Sequence, residues 1–304
     1  MDKTSNDTNN THMSYLLGVL LVLVAGVCWS TIGLGIRHIE FANLWQILLY
    51  RSTAIAVFLF VVIAVRTGGR PIETIRTAGF ASVIGGCGLV LAFSGGIYSI
   101  QKTTVANAMF LFASAPFFAA VLGFLVLRES VRVGTWIAAL VALLGIGIMV
   151  AGGFSQGDLI GNISALVAAL GFAIFTVALR WGKLADMMPA VFLGGVFSLL
   201  TGAVACFLSD ASFVLTTNDT LIALAMGVFQ VGLGLVIFTI GSRVVPAAEL
   251  ALLSMTEVLL GPLWVWWFLG ETADAYTFIG GAVLLLAIAG NALTGIRRKQ
   301  TILY

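Results

Sequence analysis

Ten nearly unbroken apolar runs, most of them 20 residues or longer, follow one another along this chain with only short polar clusters between them. A run of about 20 apolar residues crosses a bilayer as a helix, at ~1.5 Å per residue. The chain is long enough for two soluble domains, but 60% of its 304 residues are hydrophobic and only 9% are charged. That is too little charge to cover a soluble surface, so much of the apolar surface has to face lipid.

Nine breaks separate the runs: Arg37 to Glu40, Arg66 to Arg76, Gln101-Lys102, Arg128-Glu129, Gly152 to Asp158, Arg180 to Asp186, Ser209 to Asp219, Gly241 to Val245, and Glu271 to Asp274. They predict an all-α membrane protein with spans at 14–36, 42–66, 74–99, 103–127, 131–152, 158–181, 188–209, 219–242, 247–269 and 275–296. Residues 1–13 form a polar tail and 297–304 a basic one. The first run is long and has almost no positive charge before it, unlike a cleaved leader, and is expected to be retained.

Basic residues in short loops orient such a chain. With the N-terminus inside, the inner face receives Lys3, Arg66, Arg70, Arg76, Arg128, Arg132, Arg180, Lys183, Arg243, Arg297, Arg298 and Lys299, and the outer face only Arg37 and Lys102. Both termini are therefore expected in the cytoplasm, with the chain multi-pass in a bacterial-type inner membrane. Cys28, Cys87 and Cys206 lie inside apolar runs and form neither a disulfide framework nor a metal-spaced pair.

The chain also repeats. Ala106 to Leu127 followed by Arg128-Glu129 lies on Ala248 to Leu269 followed by Gly270-Glu271 without a gap, at a shift of 142. Trp29 through Arg37 lies on Phe172 through Arg180 at a shift of 143. The reading is two repeats, 14–152 and 153–296, of five spans each. An odd number of spans puts the second copy upside down relative to the first. Inverted repeats recur in transporters, whose two near-equivalent halves rock about a central site.

The segments Leu-Arg-Glu-Ser (127–130) and Leu-Gly-Glu-Thr (269–272), the Ser-Ala-Pro turn at 114–116, the first-span aromatics Trp29 and Phe172, and Arg51 early in span 2 together resemble EamA domains of the drug/metabolite transporter superfamily. The layout is most similar to the YddG-type exporters of aromatic and other amino acids. The resemblance implies export of amino acids or similar metabolites by alternating access, with no cofactor.

Ionisable groups deep in a bilayer are functional candidates. Arg51 and Glu257 both reach mid-depth. Arg51 would serve a substrate carboxylate and Glu257 an ammonium or a proton; alternatively the two pair with each other. Gln230 either bonds a neighbouring helix or faces a wet cavity. Asn107, Phe110 and Ser114 share one face of span 4, as Ser254 and Glu257 do in span 9, and Trp29, Tyr98, Phe172 and Thr176 would line the other walls. These eleven residues are the predicted substrate site. Asn107 and Glu249 are candidate gates at matching positions. Trp45, Trp264, Trp266 and Trp267 are expected in the interfacial belt, and Glu129 and Glu271 at the first turns of spans 5 and 10.

The string Gly153-Phe154-Ser155-Gln156-Gly157 fits a hydrolase elbow, but it needs a strand-to-helix turn and a histidine, and His12 and His38 are the only two. No phosphate loop, metal motif or nucleic-acid-binding basic face is present, so the expected partners are lipid and a small-molecule substrate. Proton-coupled efflux of cationic drugs is the alternative. Spans 1 and 6 lack the carboxylate such relatives use, and Glu257 would have to replace it.

Overall fold

A computed structural model describes the backbone of residues 15–128, 131, 133–156, 159–183, 186–245 and 247–301, with the side chains of 152–156, 247–249, 251, 252, 254, 255, 292 and 294–301 outside the described set. Among the described residues, eight stretches are long and apolar enough to cross a membrane: Tyr15–Arg37, Leu44–Arg66, Gly79–Lys102, Val105–Leu127, Val133–Ala151, Leu159–Trp181, Met188–Leu208 and Thr217–Gly241. They occupy the places expected for spans 1 to 8. The stretches expected as spans 9 and 10 are helices Ala247–Leu269 and Ala275–Thr301, which contain the shorter apolar helices Thr256–Leu269 and Ala275–Asn291.

Local chemistry sets the helix ends. Span 2 opens on a reciprocal capping box: the Asn43 side chain accepts from the amides of Trp45 and Gln46, and the Gln46 side chain accepts from the Asn43 amide. Thr104 and Thr216 cap spans 4 and 8 through their hydroxyls. The expected start of span 3 at residue 74 is five residues early: Pro71–Thr77 is a separate short helix, and Gly79 at φ +68° redirects the chain into Gly79–Lys102. Spans 4 and 9 end alike, on left-handed Arg128 (φ 54°) and Gly270 (φ 67°), which are equivalent at the shift of 142.

Helix packing follows the repeat. Span 3 packs on span 6 and span 8 on span 1; span 7 packs on span 3 and span 2 on span 8; span 4 packs on span 6 and span 9 on span 1. Each partnership becomes the next when every span is replaced by the one five places away. Spans 2 and 7, and spans 5 and 10, pack as pairs that map onto themselves. Lipid supplies no hydrophobic drive between helices, so close approach depends on small residues. Gly161 abuts Lys102 and Thr103 at one end of the molecule, and the equivalent Gly18 abuts Val244 and Val245 at the other.

The seams are alike in placement but not in tightness. Along spans 3 and 6, a Cβ on Gly171 would lie 2.6 Å from both the Gly88 carbonyl and the Ala92 amide, and a Cβ on Gly95 2.7 Å from the Ser164 carbonyl. Along spans 8 and 1, the position equivalent to Gly88 is Gln230. Here span 8 is a π-helix over Met226–Leu233 and span 1 breaks between Ser30 and Ile32.

Candidate functional site

The break in span 1 has a side-chain cause. Ser30 Oγ donates to the Val27 carbonyl and Thr31 Oγ1 to the Cys28 carbonyl, both at 2.7 Å, and such back-bonding bends helices. The indole Nε1 of Trp264 donates to Ser30 Oγ at 2.8 Å, tying span 9 to the break. Trp264 is thus an internal tie and not a belt residue, whereas Trp266 and Trp267 are exposed as a belt requires. Trp45 is half-buried beside a cavity. Span 4 breaks at Ala113–Ser114, ahead of Pro116, which lacks an N–H and stands in the first turn of Ala115–Leu127.

Around the span 1 break, Trp29 lies 5.2 Å from the Phe238 ring, and Gly234 leaves room for its indole, since a Cβ there would sit 2.5 Å from Nε1. Gln230 Nε2 donates to the Trp29 carbonyl at 3.3 Å, while its Oε1 is buried without a partner. Glu257, half-buried, sits on span 9 where that helix passes Gly26 of span 1, one turn from Trp29. Trp29, Phe58, Phe93 and Phe172 all pack on one apolar cluster built by spans 2, 3, 6, 7 and 8. Phe172 also meets Phe112 and Phe175 at 5.6 and 5.7 Å.

Arg51 is the unusual member. It is 2% exposed, its guanidinium carbon stands 4.8 Å from the Phe93 ring centroid, and among the described residues its Nε and Nη1 have no hydrogen-bond partner. Gly227 of the π-helix packs directly on its carbonyl. No ion pair joins Arg51 to Glu257, so mutual pairing is not what holds these two charges. An isolated buried charge costs several kcal/mol, and a face-on aromatic offsets only about 0.5–2. The arrangement leaves two guanidinium nitrogens, Nε and Nη1, as donors for an anion.

The other predicted residues divide. Asn107 belongs to a separate buried polar cluster: its amide donates to Thr103 Oγ1 and to Asn162 Oδ1, and Thr277 Oγ1 donates to its carbonyl. Phe110 is core, against Gly281. Ser114 and Thr176 spend their hydroxyls on the Leu111 and Ala173 carbonyls of their own helices. Tyr98 lines a 970 Å³ cavity with Arg37 and Lys102, and the Lys102 ammonium stands 5.7 Å over its ring. Ser254, Glu249, Glu129 and the whole Gly153 to Gly157 string have side chains outside the described residues.

Sequence reasoning missed the ties at the Arg37 end. Glu271 lies before the last helix, whose first turn is capped by Asp274 instead. It accepts from Arg37 at 2.7 and 3.2 Å and from the Val105 amide at 2.7 Å, while Arg37 also donates to the Thr103 carbonyl. Asp219, 1% exposed, accepts from the amides of Glu40, Phe41 and Ala42, pinning the first loop to span 8. Gln46 and Tyr50 donate to the Ser212 and Phe213 carbonyls. At the Arg66 end the described ties are looser: Arg66 stands 3.8 Å from Asp186, both partly exposed. Phe93 and Asn162 carried no signal beyond their types. The pairing of Arg37 with Glu271 had one, since both are charges at the same expected face.

Comparison with known proteins places these features. The model of the EamA-like transporter family matches twice, over residues 16–151 and 159–293. The chain is 26% identical over 210 residues to a Bacillus subtilis protein described as "Uncharacterized transporter YwfM", covering 66% of this chain and 69% of that one. A solved crystal structure 17% identical to the chain superposes with a TM-score of 0.65 over 92% of this chain and 99% of the other, a likeness of fold. With two copies of the family domain spanning nearly its whole length, the chain belongs to the EamA-like transporter family.

Proposed function

We propose that this transporter is a ten-span carrier of two inverted repeats, with both termini cytoplasmic, that exports amino acids or similar small zwitterions across the inner membrane by alternating access. The carrying observation is Arg51: a buried guanidinium whose Nε and Nη1 have no partner among the described residues, near the middle of the bundle and not bonded to Glu257. A substrate carboxylate fits those donors, charge-assisted hydrogen bonds being the strong ones. Glu257 takes the ammonium, and Trp29, Phe93 and Phe172 take the side chain. Tyr98 and Asn107 lie toward the Arg37 end, on the exit path. The ties between Arg37 and Glu271 and around Asp219 draw that end together around the 970 Å³ cavity that Tyr98 lines. The packing pattern that survives exchange of each span for the one five places away supports rocking of two equivalent halves.

Efflux of cations coupled to protons is the second reading. It is favoured by the lack of a hydrogen-bond or ion-pair partner for Glu257 among the described residues, and it has no use for Arg51. Uptake of labelled amino acids into liposomes holding the purified protein, with and without an imposed pH gradient, tests both. Saturable uptake that Arg51→Gln reduces supports the zwitterion carrier. Uptake of organic cations alone, indifferent to Arg51→Gln, supports the second reading and overturns the first.

A further inference from the structure

Between spans 1 and 8, on the Arg37 side of the π-helix, lies a second cavity of 430 Å³. Leu34, Ile222, Met226 and Phe229 form its walls, Thr31 stands at the break of span 1, and Gln230 closes its inner end. Phe229 is 62% exposed and stands midway between Thr217 and Gly241, so this side of the cavity meets the hydrocarbon of the bilayer. Gln230, 5% exposed, carries a carboxamide oxygen that is sealed from solvent and lacks a donor. Leaving a buried acceptor unpaired is costly, and in lipid no water relieves it.

The cavity is not a by-product of how the two repeats meet. Between spans 3 and 6, at the shift of 142, Gly88 stands in the place of Gln230 and lies against the Gly171 carbonyl, backbone to backbone. On the span 8 side, a long polar side chain, a π-helix and a broken partner helix coincide. π-Helical turns inside α-helices cluster at functional sites.

We propose that this groove binds neutral, flat, apolar molecules carrying a single N–H or O–H donor, and that they enter it from the bilayer. Apart from Thr31, Gln230 and the exposed His38, the walls are aliphatic, thioether and aromatic and select apolar surface, and among the described residues no carboxylate lines the groove to attract a cation. A turn about the last side-chain bond of Gln230 exchanges its Nε2 bond to the Trp29 carbonyl for a bond from the ligand's donor to Oε1. The site is separate from Arg51 and Glu257, and its occupation does not require transport.

The test uses the full chain in lipid nanodiscs and two labelled probes of the same ring system, 2-naphthol and 2-methoxynaphthalene, the second lacking the donor. Partition into empty nanodiscs is subtracted. Wild type is expected to bind 2-naphthol saturably and about tenfold more tightly than the methoxy compound, the worth of one hydrogen bond to a buried acceptor. Gln230→Leu removes that difference while leaving weak binding of both, and Ala225→Trp, which fills the groove, abolishes saturable binding of either. Equal binding of the two probes to wild type, no binding above empty nanodiscs, or full binding by Ala225→Trp overturns the proposal. The wild-type ratio stands as evidence even if a variant fails to fold, and a water bound at Gln230 would give equal binding of both probes.

Discussion

Spans 3 and 6 meet where glycine faces glycine, at Gly88 and Gly171; spans 8 and 1, their counterparts under the repeat, meet where Gln230 faces the carbonyl of Trp29. The first seam is packed backbone to backbone, with no room for a single added carbon. The second carries a π-helix, a broken helix, an aromatic pair and an unpaired amide oxygen. Duplication supplies two equivalent seams, and one was filled while the other was opened. The contrast teaches that the repeat builds the scaffold and the departures from it mark where a ligand can be accommodated.

The largest effect is expected from forcing the tight seam apart. Gly171→Val puts side-chain carbons within the radius of the Gly88 and Ala92 backbones, neither of which can rotate away, and overpacking of this kind costs about 3 kcal/mol or more. Thermal unfolding in detergent should show a loss of ten degrees or no folded protein, whereas Gln230→Ala in the loose seam should fold normally. Equal stability of the two variants would erase the distinction between seams.

Next in size is Arg51→Gln, expected to lower amino-acid uptake by about tenfold or more through loss of a charge-assisted pair while leaving the elution profile unchanged. Unfolding of this variant with no folded fraction would instead mark Arg51 as part of the scaffold. A several-fold effect is expected from Glu271→Ala, which frees Arg37 and the Val105 amide together. In a cysteine-free background bearing Asn107→Cys, labelling by a membrane-impermeant maleimide from the Arg37 side should accelerate, and the double swap Arg37→Glu with Glu271→Arg should slow it again. Unchanged labelling would show that these ties do not hold that end together. The smallest effect belongs to Trp264→Phe, which loses only the bond to Ser30 and should cost about 1 kcal/mol, read as a few degrees in the unfolding midpoint.

Much of the scaffold was legible beforehand, because apolar length and the 142-residue shift are properties of the chain itself. The repeat even predicts backbone detail, as the matching left-handed residues Arg128 and Gly270 show. The candidate site was legible in part. Arg51, Glu257, Gln230 and Trp29 stand out from sequence because a polar or bulky group at mid-span is expensive or conspicuous. Phe93 could not be singled out: one phenylalanine among 21 becomes special only when Arg51 is laid over it. Phe110, Ser114 and Thr176 share faces with these residues, yet core packing and helix back-bonds engage them, which periodicity does not reveal. The separate polar cluster of Asn107 joins Asn162 and Thr277, far apart in sequence, so only folding brings it into view.

In the proposed carrier Arg51 and Glu257 form the two poles of a zwitterion site. The most direct measurement is competition against a labelled amino acid in liposomes by two analogues, the decarboxylated amine and the deaminated acid, for wild type, Arg51→Gln and Glu257→Gln. Wild type is expected to prefer the intact amino acid to both, Arg51→Gln no longer to distinguish it from the amine, and Glu257→Gln no longer to distinguish it from the acid. Unaltered preferences in both variants would contradict the zwitterion site.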